Sequence, residues 1–137
     1  MFFECVRANG VEGVTGIVIP TLNPEEPFII TNSERSSAVQ EQITFPSNGL
    51  TLSGVVHRPA DLRPGEHRPA FLVLHGFGGN KNGQGQIVMA EQLAQWGYIT
   101  LRFDFRGCGE STGEHGRIIC LDQVADTTSA LTYMASR

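Results

Sequence analysis

Two glycine-rich stretches carry residue types that could take part in nucleophilic chemistry. Gly109-Glu110-Ser111-Thr112-Gly113 matches G-x-S-x-G, the pattern in which a serine hydroxyl on a sharp turn attacks a carbonyl carbon. His75-Gly76-Phe77-Gly78-Gly79 directly follows the five apolar residues 70–74. Glycines after a buried strand let backbone N–H groups face a ligand, and such groups stabilise a developing negative charge. The first stretch therefore offers a candidate nucleophile, and the second offers a candidate anion site.

The surroundings of Ser111 argue against a nucleophile. A G-x-S-x-G nucleophile needs a strand directly before the motif and a helix directly after it. The preceding strand is predicted to end near Phe105, and Gly113, His115 and Gly116 would break a helix that began at Ser111. We predict a loop role for Ser111, and we retain as an alternative a small enzyme that uses Ser111 with His115 as its base.

Other reactive side chains lack the context that catalysis needs. His75 and Asp104 are alternatives for a general base and a catalytic acid, and Cys108 is an alternative thiol nucleophile, although it lacks a Gly-x-Cys-x-Gly frame. His57 and His67 flank a proline-rich loop and are predicted to be solvated.

Cofactor chemistry finds little support in the sequence. Cys108, His115 and Cys120 do not have the spacing of a zinc site. Neither G-x-x-x-x-G-K-[ST] nor G-x-G-x-x-G follows a predicted strand, so a phosphate-binding loop is not indicated. We expect no metal and no cofactor.

The elements that must position these stretches follow a simple order. Asn48-Gly49 is a strong hairpin signal between two strand-like runs. Two apolar runs downstream are typical of strands buried on both faces, and each precedes a segment with apolar residues at helical spacing. The predicted elements are strands 40–45, 50–57, 70–74 and 98–105 and helices 86–96 and 118–135.

Alternation of strands and helices from residue 70 onward indicates an α/β fold with parallel strands joined by crossovers, preceded by an antiparallel hairpin. The strand over 98–105 has Ile99, Leu101, Phe103 and Phe105 on one face. The first helix is predicted to bury Ile87, Ala90, Leu93 and Ala94, and the second has Leu121, Val124, Thr128, Leu131 and Ala135 at helical spacing.

The first 37 residues are predicted to form a separate N-terminal extension, and residues 38–137 are predicted to form the domain. Val14–Ile19 is strand-like, but three prolines follow closely and favour an extended loop. Phe28–Ile30 is a candidate short edge strand, and the polar run 31–37 is a plausible boundary.

Composition narrows the class of protein. The 137 residues carry a net charge of −4, and the ten basic residues are scattered, which argues against nucleic-acid binding. Three irregularly spaced cysteines do not form a disulfide framework, and the sequence shows neither a secretory signal nor an apolar run that could span a membrane. We expect a cytoplasmic protein.

Three motifs in order resemble the first half of an α/β-hydrolase of the esterase, acylglycerol-lipase and serine-aminopeptidase type. Residues 72–79 resemble the end of family strand 3 with its His-Gly oxyanion turn. Residues 103–111 resemble the end of strand 4, where the family has Asp-x-Arg-Gly-x-Gly-x-Ser, and the hairpin over 40–58 resembles strands 1 and 2. The resemblance covers residues 38–137.

The resemblance implies hydrolysis of a small-molecule ester or amide through an acyl-enzyme. It implies that the Phe77 N–H, within the turn formed by His75 and Gly76, is one donor of the oxyanion hole, that His75 braces the turn, and that Asp104 is structural. In family order the nucleophile, acid and histidine all come later, so we expect none of them here and no activity of the chain alone.

The family sheet order 1-2-4-3-5 has a further consequence. Without strand 5, residues 71–74 are expected to form an open sheet edge, which is a site for pairing with another chain. The sequence therefore leaves three hypotheses open: the N-terminal portion of a serine hydrolase, a non-catalytic chain that pairs through its edge, and the small Ser111 enzyme.

Overall fold

The computed structural model describes residues 38–137 and the backbone of Cys5–Val6. The predictions for Val14–Ile19, Phe28–Ile30 and the boundary at 31–37 lie outside the described residues. The elements are β1 (Cys5–Val6), β2 (Val39–Ser47), β3 (Leu50–Arg58), β4 (Ala70–Val73), α1 (Gln84–Gln95), β5 (Ile99–Phe103) and α2 (Cys120–Ala135).

The β2–β3 hairpin turns at Asn48-Gly49, the dipeptide from which it was predicted. Asn48 and Gly49 both have positive φ angles, 46° and 79°, as a two-residue type I′ turn requires. Pairing runs without interruption from Val39 opposite Arg58 to Ser47 opposite Leu50, so Pro46 lies inside β2 rather than in the turn. An outer strand tolerates proline because one side of it makes no ladder.

The strands form one mixed sheet in the order β1-β4-β5-β3-β2. β4 and β5 are parallel, with Leu72 opposite Leu101, and β3 runs antiparallel to both of its neighbours, β2 and β5. The order of the four longer strands, β2-β3-β5-β4, is the family order 1-2-4-3. The predicted α/β fold class is therefore confirmed.

The expectation of an open edge along residues 71–74 needs correction. β1 pairs antiparallel with β4, with Cys5 opposite Phe71 and Val6 opposite Ala70. β1 thus covers the edge of β4 at Ala70 and Phe71. Sequence reasoning missed the pairing because a two-residue strand has no periodicity to detect.

The two helices differ in how well their buried faces were predicted. In α1, Ala90, Leu93 and Ala94 are buried as expected, whereas Ile87 is only half-buried. In α2, the opposite face from the apolar stripe packs inward: Leu121 is 79% exposed, whereas Asp126 and Ala130 are fully buried. The inward face also carries Tyr133 and Met134, which pack against the core cluster.

The main core lies between the sheet and α2. Phe103 packs edge-on against both Phe45 and Phe105, and Phe45 also stacks on Tyr133 of α2. Leu101, Phe103 and Phe105 share this cluster, with Ile99 packed against it, as the alternation over 98–105 predicts. The packing fixes the carboxyl ends of β4 and β5, from which the glycine-rich loops leave the sheet.

Candidate active site

The turn after β4 is a short exposed loop with a free backbone donor. Gly78 has a φ angle of 68°, and the Gly79 N–H donates to the Gly76 carbonyl over 3.1 Å, which closes the turn. Phe77 is 89% exposed. Within the described residues, no hydrogen bond uses the Phe77 N–H. The turn therefore presents an N–H that has no hydrogen bond among the described residues, at the carboxyl end of β4.

His75 holds the beginning of this turn against the loop that follows β5. Its imidazole is buried, and its Nε2 accepts a hydrogen bond from the Phe105 N–H over 3.2 Å. Because Nε2 accepts, the ring proton lies on Nδ1, which donates to the Gly76 carbonyl over 2.9 Å. Both ring nitrogens are engaged in positioning, which is the geometry expected of a residue that braces the turn.

Lys81, two residues after the turn, forms a buried ion pair with Asp104. Lys81 Nζ lies 2.7 Å from Asp104 Oδ2, and both side chains are 1% exposed. The Lys81 N–H donates to the other oxygen, Asp104 Oδ1, over 2.6 Å, and the Glu110 N–H donates to Oδ2 over 2.9 Å. Asp104 is thus fully used by its own loop and by the neighbouring turn, which is a structural arrangement.

His57 is buried, so the prediction that it is solvated is wrong. It has no exposed surface, and its Nε2 accepts a hydrogen bond from Arg102 Nε over 2.9 Å. Burial, and secondly the Arg102 charge, lowers the pKa of His57 to about 4. The error arose because His57 is the last buried residue of β3, next to the proline-rich loop, and the sequence does not show that β5 pairs beside it.

The Ser111 hydroxyl both donates and accepts a hydrogen bond. Ser111 Oγ donates to the Asp104 carbonyl over 2.6 Å and accepts from the Ser53 N–H over 2.9 Å. No hydrogen bond joins Ser111 to His115 in the described part of the chain. The serine lies in the loop between β5 and α2, with no helix following it until Cys120.

A second buried ion pair fastens this loop to α2. Asp126 is fully buried and receives two guanidinium nitrogens of Arg106, with Arg106 Nη2 to Asp126 Oδ1 at 2.8 Å. Ser47 Oγ donates to the same carboxylate over 2.7 Å. These contacts lower the pKa of Asp126 against the effect of its burial. Arg106 is the arginine of the Asp-x-Arg-Gly motif, whereas no pattern in the sequence indicates Asp126 as its partner.

The remaining candidates are the Cys108 thiol and the side chains that could bind a metal ion. Burial, and secondly the charges of Asp104 and Asp126, raises the pKa of the Cys108 thiol, which disfavours the thiolate. Among residues 38–137 no group of three or more His, Cys, Asp or Glu side chains is arranged to hold a metal ion. No helix in the described part of the chain is both long enough and apolar enough to cross a membrane.

Comparison with known proteins gives a family match over the half of the chain that contains both loops. A family model described as "Serine aminopeptidase, S33" matches residues 65–137. Lysophosphatidylserine lipase ABHD12 of Gallus gallus is 37% identical over 49 residues, which is 36% of this chain and 13% of the lipase.

Solved structures extend the similarity to most of the described residues. Hypothetical protein PA2218 of Pseudomonas aeruginosa superposes with a TM-score of 0.65 at 27% identity, covering 73% of this chain and 31% of that protein. The α/β hydrolase GrgF of Penicillium sp. sh18 gives a TM-score of 0.61 at 26% identity, covering 70% of this chain and 32% of GrgF. The aligned segments span between 12% and 30% of the curated relatives.

Proposed function

Because the chain belongs to the serine aminopeptidase S33 family of hydrolases, we propose that it forms the N-terminal portion of a serine hydrolase. The reaction is hydrolysis of a carboxylic ester or amide of a small molecule through an acyl-enzyme. In this proposal the chain contributes the turn 75–79, and the Phe77 N–H is one of the two donors that hold the oxyanion of the tetrahedral intermediate.

One observation carries the proposal. The Phe77 N–H has no partner within the described residues, although the turn around it is fixed at both ends, by His75 at its start and by Lys81 after its last glycine. A preorganised donor of this kind costs no reorganisation when negative charge develops, which is how oxyanion holes lower a barrier. An exposed loop with no such task would not need two buried anchors.

We also propose that Ser111 is not the nucleophile and that the isolated chain does not hydrolyse esters. The hydroxyl of Ser111 already donates to one backbone group and accepts from another, so no base is positioned to take its proton. On this proposal nucleophile, acid and base are supplied by sequence outside these 137 residues. The free thiols of Cys108 and Cys120 fit a reducing compartment such as the cytoplasm.

A chimera tests the role of the Phe77 N–H. Residues 65–137 replace the matching segment of an active serine esterase of the same family, and turnover of a p-nitrophenyl ester is measured. Phe77→Pro removes the N–H and Phe77→Ala retains it, so the alanine variant is the matched control. We expect the proline variant to lose about 100-fold in kcat relative to the alanine variant. Equal kcat values for the two variants would refute the proposal.

A second experiment tests the assignment of Ser111 on the chain itself. A fluorophosphonate probe is added to the purified 137-residue chain and to Ser111→Ala, with Thr112→Ala as the matched loop control. We expect no serine-dependent labelling. Labelling that disappears only in Ser111→Ala would favour the small-enzyme hypothesis. Reading the coding sequence beyond codon 137 for an apolar strand followed by G-x-S-x-G tests the same proposal at the level of the gene.

A non-catalytic chain that pairs through its sheet remains the second candidate, for one specific reason. β1 covers β4 only at Ala70 and Phe71, so the half of β4 formed by Leu72 and Val73 has no described strand on that side. Pairing with a partner strand there predicts a defined oligomer in light scattering. A monodisperse monomer at high concentration contradicts it.

A further inference from the structure

Lys81 is the only lysine of the chain, and it is buried. A lysine normally keeps its ammonium group in water, since burial of a charge is costly unless the charge is paired. Here Nζ lies 2.7 Å from Asp104 Oδ2 and 2.7 Å from Glu110 Oε2. One compact cation therefore joins two carboxylates, one fully buried and one 68% exposed at the side chain.

The backbone of Lys81 is fixed from both sides as well. Its N–H donates to Asp104 Oδ1 over 2.6 Å, and its carbonyl accepts from Arg102 Nη1 over 2.8 Å. Arg102 also reaches the side chain of the next residue, donating to Asn82 Oδ1 over 2.9 Å. All polar groups of Lys81 are thus tied to β5 or to the loop that leaves it, so this residue cannot shift without breaking charge-assisted hydrogen bonds.

Lys81 and His75 bracket the exposed turn. His75 ties the start of the turn to the Phe105 N–H, and Lys81 ties its end to the Asp104 carboxylate, two neighbouring residues of the same strand end. Phe77 lies between these two anchors. The position of its N–H therefore depends on both, although neither side chain touches it.

We infer that Lys81 is a positioning residue that holds the Phe77 N–H in place through its ion pair with Asp104 and Glu110. The role of the positioned N–H in catalysis rests on the proposed function. The positioning itself depends only on contacts within this chain. An ammonium group suits the task because it is a compact point charge that meets two carboxylates from one stem, whereas a guanidinium is a planar fork.

The test measures local order in the folded chain, which does not depend on turnover. Backbone 15N relaxation gives order parameters for residues 76–79 in the wild type and in Lys81→Met, which keeps an apolar stem and removes the charge. We expect order parameters of about 0.85 in the wild type to fall below about 0.6 in the variant. The amides of Asn48 and Gly49, in the β2–β3 turn, serve as an internal reference and should not change.

The readout separates positioning from general support of the fold. If Lys81 only stabilises the domain, the urea midpoint falls while residues 76–79 keep their order in the folded population, and the inference is overturned. If the Phe77→Pro comparison fails but the turn loosens in Lys81→Met, the positioning inference stands and the proposed function does not. The two failures are therefore distinguishable.

A milder variant covers the case in which Lys81→Met does not fold. Glu110→Gln removes only the exposed carboxylate of the cluster, and Glu114→Gln, which loses the exposed pair with Arg117, is its matched control. An amine-reactive ester reports on the cluster when labelling is measured by mass spectrometry at the peptide that contains Lys81, the sole lysine, which separates it from labelling of the α-amine. We expect at least about tenfold faster Lys81 labelling in Glu110→Gln than in Glu114→Gln, since opening of the site limits the reaction. Equal labelling rates contradict the inference, and so do order parameters of residues 76–79 that keep the wild-type values in Glu110→Gln despite faster labelling.

Discussion

Protonation of His57 should weaken the fold as pH falls below neutrality. Arg102 Nε donates to His57 Nε2, so the neutral imidazole must carry its proton on Nδ1. Nδ1 is the one buried side-chain nitrogen or oxygen without a hydrogen-bond partner in the described part of the chain. A second proton would have to enter at Nε2, where it would break the bond to Arg102 and bring two cations together. The folded state therefore resists protonation that the unfolded chain accepts.

The magnitude follows from the difference in pKa between the two states. Burial and the Arg102 charge lower the pKa of His57 from 6.5 to about 4. The stabilisation is complete above pH 6.5 and is lost as pH falls towards 4, because the unfolded chain binds the proton first. Full loss corresponds to about 3 kcal/mol, and about 2 kcal/mol is already lost between pH 7.5 and pH 5.

Urea unfolding at intervals from pH 7.5 to pH 5 measures this dependence. His57→Gln removes the titrating ring while keeping an amide oxygen as an acceptor, and His67→Gln, at an exposed position, is the matched control. We expect the wild type and His67→Gln to lose about 2 kcal/mol over this range and His57→Gln to lose almost none of it. The reasoning is refuted if His57→Gln keeps the wild-type slope.

Three further predictions concern the loop between β5 and α2 and the helix α2 itself. Asp126→Asn should lower the free energy of unfolding by about 3 kcal/mol in urea titrations, because the largely buried guanidinium of Arg106 loses its fully buried charge partner and keeps only the partly exposed Asp122; an unchanged midpoint contradicts this. Gly109→Ala should destabilise by at least about 2 kcal/mol more than Gly116→Ala, since both positions have positive φ but only the Cβ at Gly109 would collide with a carboxylate; equal losses in thermal unfolding argue against it. Iodoacetamide should modify Cys120 at least about tenfold faster than Cys108 by peptide mass spectrometry at pH 7.5, because Cys120 is exposed and burial raises the pKa of the Cys108 thiol; the reverse order would be incompatible with this packing.

Features that depend on neighbouring residues in the chain were predictable. The hairpin follows from Asn48-Gly49, since both residues tolerate the positive φ angles of a type I′ turn. The buried strands follow from unbroken or alternating apolar runs, and the parallel crossover follows from their alternation with helices. The glycine-rich turn after β4 could be identified as a candidate anion site for the same reason, although its oxyanion role stays a prediction.

Polar pairing across the fold was not predictable. Lys81 and Asp104 are 23 residues apart, and Arg106 and Asp126 are 20 apart, so neither pair has a local pattern. The buried face of α2 was also mistaken, because Asp126 is buried with its hydrogen-bond partners on the same face as Ala130, Tyr133 and Met134, and these contacts form only after folding.

The sequence by itself determined the class of fold, the strand order through its family resemblance, and the turn that carries Phe77. Tertiary structure alone decided which charged groups are buried, which side of α2 faces the sheet, and that β1 lies against β4. The physical reason is the range of the interactions. Backbone propensity and apolar periodicity act over a few residues, whereas the pairing of a buried charge depends on strands and loops that meet only after the chain has folded.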